Sequence, residues 1–62
     1  MRKVKASNVR IGDYVSQTHP GNPHGFQGWV QSIIHLNADL FDLYLDNGEE
    51  VTLSFDDLIF RS

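Results

Sequence analysis

The chain has 62 residues, a net charge of -3 and no cysteine. This length provides one small core, and the lack of cysteine excludes a disulfide framework and a thiolate metal site. No apolar run approaches the roughly 18 residues that span a bilayer, and the basic start lacks the hydrophobic region of a signal peptide. We therefore expect a single cytoplasmic domain over residues 1–62, without membrane contact, as a monomer or a homo-oligomer.

The charges are segregated along the chain. Four of the five cations lie in the first ten residues: Arg2, Lys3, Lys5 and Arg10. All eight acidic residues lie between Asp13 and Asp57. Binding to phosphates needs clustered cations, so only the basic segment is a candidate for nucleic-acid contacts. We interpret residues 1–8 as a basic, mobile lead-in with weak strand positions at Val4 and Ala6.

A turn followed by a strand is predicted over residues 9–15, where a hydrophobic residue precedes a Gly-Asp pair. Gly12 provides an unusual backbone angle there, and Asp13 accepts hydrogen bonds from nearby backbone amides. The pattern is typical of a structural turn, and we favour that interpretation over a direct functional role for Asp13.

A long loop is predicted over residues 16–27, which hold both prolines and two of the five glycines. About a dozen residues exceed what joins two strands of a compact domain, and such loops are either functional or merely mobile. His19 and His24 lie five residues apart in this loop, with no acid nearby. Structural zinc takes four preorganised ligands, so we expect surface histidines and no metal.

The next strand, over residues 28–35, has an imperfect alternation of apolar residues. Val30 and Ile34 share one face of an ideal strand, whereas Trp29 and Ile33 share the other. A bulge or a sharp bend would reconcile the two faces. Residues 37–39 then form a turn.

A hairpin is predicted over residues 40–54, around the turn signal Asn47-Gly48. A two-residue loop would mix apolar and charged side chains on one face. A three-residue loop with Gly48 in the left-handed conformation instead pairs Phe41 with Leu53 and Leu43 with Val51. Four side chains then lie on the opposite face: Asp42, Tyr44, Glu50 and Thr52.

The last element is predicted as a short 3₁₀ turn followed by a strand over residues 58–60. Ser54 precedes an acid by three residues, which is the pattern of a capped first helical turn, but too few residues remain for a full helix. The predicted core has ten members: Val9, Ile11, Val15, Val30, Ile33, Leu43, Leu45, Val51, Leu53 and Leu58.

These elements resemble the SH3-like barrels and their KOW-type members. Residues 9–15 resemble the opening of such barrels, Gly28, Val30 and Ile33 match the spacing of a KOW motif, and a 3₁₀ turn characteristically precedes the last strand of the fold. The resemblance implies an all-β, five-stranded barrel whose long first loop belongs to the ligand surface.

The layout also resembles the type II dihydrofolate reductases, which are tetrameric SH3-like barrels of similar length. Their pore-lining Val-Gln-Ile-Tyr segment corresponds here to residues 51–54, Val-Thr-Leu-Ser, and the cations expected after the Gly-Asp turn are replaced by Ser16-Gln17-Thr18. We carry over the fold and not the activity. Because no nucleophile elbow, phosphate loop or metal-protease pair is present, we expect neither catalysis nor a cofactor.

The seven aromatic residues are more than so small a core needs, so some of them are expected on the surface. Trp and Tyr anchor interfaces because they bury large rigid areas and keep a polar tip. We predict a protein-binding patch beside the 16–27 loop, with five members: His24, Phe26, Gln27, Trp29 and Tyr44. Packing of Trp29 into the core is the alternative.

Two further alternatives remain open at this stage. The acidic residues Asp42, Asp46, Glu49 and Glu50 favour a basic partner, or they form a solvated edge that prevents aggregation of sheets. A KOW-like nucleic-acid accessory, in which the four N-terminal cations contact phosphates and an aromatic side chain stacks on a base, is the second functional hypothesis.

Overall fold

The computed structural model describes residues 1–17 and 25–62, and these residues form an all-β structure. The described residues contain six strands: β1 (Arg2–Lys5), β2 (Tyr14–Gln17), β3 (Phe26–His35), β4 (Leu40–Leu45), β5 (Glu50–Ser54) and β6 (Leu58–Arg61). They form one antiparallel sheet in the order β1-β6-β2-β3-β4-β5, and its two edge strands do not pair with each other. None of the described residues belongs to a helix of the length and apolarity needed to cross a bilayer.

The sixth strand is β1, where the sequence predicted a lead-in with weak strand positions at Val4 and Ala6. Its residues pair with β6, with Lys3 opposite Phe60 and Val4 opposite Ile59. Val4 packs against the core, and Ala6 is buried in the 3₁₀ helix Ala6–Asn8 that follows. The lead-in interpretation is therefore corrected. A strand with one apolar residue among cations has almost no alternation of its own, and its order comes from pairing with a distant segment.

Strand β3 belongs to two parts of the sheet, because its two ends pair with different strands. Its first residues pair with β2, with Trp29 opposite Tyr14, and its last residues pair with β4. The register shifts between Val30 and Ser32, so the predicted bulge is confirmed. We call β1, β6, β2 and residues 26–30 the first half-sheet, and residues 32–35, β4 and β5 the second half-sheet. Both bury one face in a common core.

The predicted hairpin register is confirmed. Phe41 lies opposite Leu53 and Leu43 lies opposite Val51. The N–H of Leu45 donates to the carbonyl of Glu49 at 2.9 Å, and the N–H of Gly48 donates to the carbonyl of Leu45 at 3.1 Å. Gly48 has a φ of 88°, a conformation that a side chain with Cβ disfavours. The turn before β2 is also as predicted, because the Arg10 N–H donates to Asp13 Oδ2 at 2.9 Å.

The core differs from the predicted core at several positions along the chain. Within residues 1–17 and 25–62, ten apolar residues are buried: Ala6, Val9, Val15, Phe26, Val30, Phe41, Leu43, Leu45, Leu53 and Ile59. Ile11 and Leu58, both predicted to be buried, are 65% and 50% exposed. Ile59 faces the core in place of Leu58 because its pairing with Val4 fixes which side of β6 is internal. Ile33 and Val51 are only partly buried.

The predicted short 3₁₀ turn before the last strand is present as a single turn, in which the Asp57 N–H donates to the Ser54 carbonyl at 3.1 Å. Half of the predicted capping contact is also present, since the Ser54 N–H donates to Asp57 Oδ2 at 2.9 Å. The turn does not extend into a helix, because the chain enters β6 at Leu58. Strands β2 and β3 extend into the predicted 16–27 loop, and residues 18–24 of that loop lie outside the described residues.

Candidate functional site

The first half-sheet has an outer face that we call the aromatic face. Successive side chains of a strand point to opposite sides, and Val4, Val15, Val30 and Ile59 point inward. Their neighbours therefore point outward. The aromatic face consists of eight residues: Lys3, Lys5, Tyr14, Ser16, Gln27, Trp29, Leu58 and Phe60.

Trp29 lies at one end of this face and is 53% exposed. Its ring packs edge-on against Tyr14, with 5.1 Å between ring centroids and an angle of 72° between the planes. This arrangement holds the indole in place while most of its area stays in contact with solvent. Trp29 is therefore a surface residue, and the alternative that places it in the core is wrong.

The hairpin loop between β4 and β5 positions the backbone around Trp29. The Trp29 N–H donates to Asp46 Oδ1 at 3.3 Å, and the Asp46 N–H donates to the Trp29 carbonyl at 3.0 Å. Asn47 Nδ2 donates to the Gln27 carbonyl at 2.8 Å. A Cβ at Gly28 would lie 3.2 Å from Asn47 Nδ2 and 3.3 Å from Leu45 Cβ, so a larger residue there would require the hairpin to shift by a few tenths of an ångström. The local sequence of the hairpin thus fixes the seam between the half-sheets.

Two of the four N-terminal cations belong to the aromatic face. Lys3 Nζ lies 5.9 Å from the centroid of Phe60, within range of a cation–π interaction. Lys5 Nζ lies 3.8 Å from Asp56 Oδ1, with both side chains largely exposed, so this ion pair holds Lys5 only weakly. Arg2 lies on the same side of β1 as the inward-pointing Val4, and Arg10 lies in the turn before β2. The structure therefore divides the predicted nucleic-acid contacts into two that share a face and two that do not.

The predicted protein-binding patch is only partly assembled. Gln27 and Trp29 both lie on the aromatic face, but Phe26 is 4% exposed and belongs to the core. Tyr44 lies on the second half-sheet, opposite Ser32 and Glu50. His24 falls outside the described residues. The prediction for Phe26 is thus corrected, because its position on β3 shares the inward side with Val30.

Three members of the aromatic face were missed in the sequence. Phe60 and Leu58 flank Ile59, and the alternation of β6 allows either the two flanking side chains or the central one to face inward. Tyr14 precedes the buried Val15 and points the other way. The sequence did contain a signal for this face. Residues 58–60 are all large and apolar, and one face of a strand cannot bury all three side chains.

The outer face of the second half-sheet has a different character. Thr52 Oγ1 donates to Asp42 Oδ1 at 2.5 Å, and Asp42 is only 9% exposed although the sequence placed it on the open side of the hairpin. Partial burial raises the pKa of Tyr44 above its ordinary value, and the negative charges of Glu50 and Asp42 raise this pKa further. Tyr44 lies opposite Glu50 on the neighbouring strand. Of these polar groups, Thr52 and Asp42 are hydrogen-bonded to each other.

Within residues 1–17 and 25–62, no three metal-ligating side chains come together and no pocket is present. His35 packs edge-on against Phe55, with 5.6 Å between ring centroids, whereas His19 and His24 lie outside these ranges. The chain matches no protein-family model, no curated protein and no solved structure. A proposal about function therefore depends on the geometry of the aromatic face.

Proposed function

We propose that this chain is a small, non-enzymatic module that binds a protein partner on its aromatic face. The observation that supports this most directly is Trp29, which is held edge-on by Tyr14 and is still more than half exposed. Interfaces are enriched in such rigid aromatic anchors. Phe60 and Leu58 extend the same face with further exposed apolar area, and a contiguous surface of this type typically marks an interaction site.

We also propose an SH3-like barrel for the fold, in which β2 to β6 are the five barrel strands and β1 is an addition at the edge. Two features support this proposal. The long bent strand β3 belongs to both half-sheets, and the two half-sheets cover one core. The N–H of Ser7 donates to the carbonyl of Phe55 at 3.1 Å, which brings the segment after β1 to the end of β5. A cytoplasmic location is part of the proposal, supported by the cysteine-free sequence.

The non-enzymatic part of the proposal has its own support. Thr52 and Ser54 occupy the positions at which the Gln and Tyr of the type II dihydrofolate reductase motif would lie. Thr52 is bonded to Asp42, so its hydroxyl supports the structure of the hairpin. We expect a reduced nicotinamide cofactor to cause no shifts in the amide spectrum. Shifts confined to residues 51–54 would contradict this part of the proposal.

The proposal is tested with a pair of matched surface variants. Ile34 is 49% exposed and lies on the outer face of the second half-sheet, so Ile34→Ala removes a similar exposed apolar side chain away from the aromatic face. A partner captured by the wild-type protein should be lost with Trp29→Ala and retained with Ile34→Ala. The purified partner should then shift the amides of Tyr14, Gln27 and Phe60. Retention by Trp29→Ala, or shifts confined to the second half-sheet, would contradict the assignment.

A second candidate function is the binding of single-stranded nucleic acid on the same face. The specific observation in its favour is that Lys3 and Lys5 lie on the same outer face as Phe60, because stacking aromatics beside cations suit bases and phosphates. Binding of a single-stranded oligonucleotide should weaken steeply as salt is raised. Lys3→Gln should reduce the salt dependence, whereas Arg10→Gln, a change off the face, should not. Undetectable binding at low salt would exclude this function.

A further inference from the structure

Along β5, the backbone N–H and C=O groups of successive residues point alternately toward β4 and away from it. The Phe55 N–H donates to the Asp39 carbonyl at 3.1 Å, and the Leu45 N–H donates to Glu49, so the odd-numbered residues of β5 point their backbone groups toward β4. Ser54 points the other way, since its N–H donates to Asp57. By this alternation Glu50 and Thr52 direct their N–H and C=O groups away from the sheet. No described residue pairs with β5 on that side.

The charged residues of β4, its hairpin loop and β5 are all acidic. Between Arg10 and Arg61 the sequence contains no lysine or arginine, and β4, its hairpin loop and β5 contain four acids: Asp42, Asp46, Glu49 and Glu50. Glu50 projects from the edge strand itself and is exposed. The acids discourage a second copy of the same edge, because two like-charged edges would oppose each other. They favour a strand that brings positive charge.

The inner side of the same edge is apolar. Val51 lies between Glu50 and Thr52, points toward the core and is only partly buried. A strand added beside β5 would place every second side chain next to Val51 and the intervening ones next to Glu50 and Thr52. The edge therefore fits an extended segment in which basic and apolar residues alternate.

We propose that β5 accepts an extended peptide segment with alternating basic and apolar residues as an added strand of the sheet. The backbone groups of Glu50 and Thr52 bind the peptide backbone, Glu50 attracts its cations, and its apolar residues cover Val51. This site is separate from the aromatic face. Its existence does not depend on the proposed function, so Trp29→Ala should leave it unchanged.

The first test uses the wild-type protein and a short synthetic peptide of alternating lysine and valine residues, capped at both ends. Saturating peptide should slow hydrogen exchange of the Glu50 and Thr52 amides by about tenfold or more, because both become hydrogen-bonded. A peptide with glutamate in place of lysine should not do so. Unprotected Glu50 and Thr52 amides at saturation, or equal protection by both peptides, would overturn the proposal.

The second test compares two substitutions at one position. Thr52→Pro removes the edge N–H, and proline is tolerated on the open side of an edge strand. Thr52→Val removes the same hydroxyl and keeps the N–H, so it is the matched control. The lysine peptide should bind Thr52→Val and bind Thr52→Pro about tenfold more weakly. Equal affinity would overturn the proposal, as would a dimer that protects these amides without peptide. If Thr52→Pro does not fold, the wild-type exchange measurement decides.

Discussion

The two half-sheets share one core, but the side chains on their outer faces differ in character. The first carries Lys3, Lys5 and the exposed rings of Trp29 and Phe60, and its ion pair and cation–π contact lie at the surface. The second carries acidic side chains, of which Asp42 accepts a hydrogen bond from Thr52. Its proposed ligand site lies at the edge of β5 and not on its outer face. The face of the first keeps large side chains available to a ligand.

The two faces differ in the aromatic area that they leave exposed and in the polar contacts that their side chains already make. Both faces contain a tyrosine, but Tyr14 packs against an exposed tryptophan whereas Tyr44 lies opposite Glu50, among acidic side chains. An aromatic side chain that only packs at its edge still has area to bury against a partner.

The largest expected effect concerns the core that both half-sheets share. Leu43 is fully buried, so Leu43→Ala should lower the free energy of unfolding by about 2–5 kcal/mol. Urea unfolding followed by Trp29 fluorescence reports the first half-sheet, and circular dichroism reports the whole sheet. The two transitions should coincide, because one core supports both. Separate midpoints would show that the half-sheets unfold independently.

The next largest effect concerns the hydrogen bond between Thr52 and Asp42 on the second half-sheet. Thr52→Val removes the donor to Asp42 and leaves a nearly buried carboxylate without it, so we expect a loss of about 2 kcal/mol in the free energy of unfolding. Ser7→Ala, an exposed change on the 3₁₀ helix, should cost less than about 0.5 kcal/mol. Equal costs for both variants would mean that the Asp42 contact contributes nothing, and the contrast between the faces would be weaker.

A smaller effect is expected at the seam between the half-sheets. Gly28→Ala places a Cβ within 3.4 Å of atoms of Asn47, Leu45 and Asp46 at a φ of 154°, so we expect a cost of about 1 kcal/mol and a shift in the fluorescence of the neighbouring Trp29. Gly48→Ala strains the hairpin loop without meeting any atom within 4 Å. That control should destabilise the protein and leave the emission wavelength unchanged. Identical spectra for the two variants would contradict a role of the loop in positioning Trp29.

The smallest effect is on a single pKa. The pKa of Tyr44 is raised above 10, and Glu50→Gln removes a negative charge and should lower it. Phenolate absorbance in a Tyr14→Phe background measures this, and Glu49→Gln is the neighbouring control. Because the folded state holds the proton more tightly, the stability it confers is complete below pH 10 and is lost as pH rises through the folded pKa. An unchanged Tyr44 pKa in Glu50→Gln would show that the charge of Glu50 does not raise this pKa.

The position of the aromatic face could be predicted only in part. Trp29 and Gln27 were identified from the sequence, but the same reasoning chose Phe26, which is buried. The neighbours that complete the face, above all Phe60, come from a strand more than thirty residues away. No local pattern indicates which strands lie side by side. The association of Lys3 with Phe60 exists only because β1 pairs with β6.

The sequence by itself determined the features that depend on neighbouring residues: the register of the β4–β5 hairpin, the left-handed Gly48, the turn at Asp13 and the bulge in β3. Only the tertiary structure decided that β1 is a strand, that Ile59 rather than Leu58 is buried, and that the cations join the aromatic side chains. The physical reason is that a turn is specified by the backbone preferences of three or four residues. The orientation of a short strand is set by the partner to which it hydrogen-bonds.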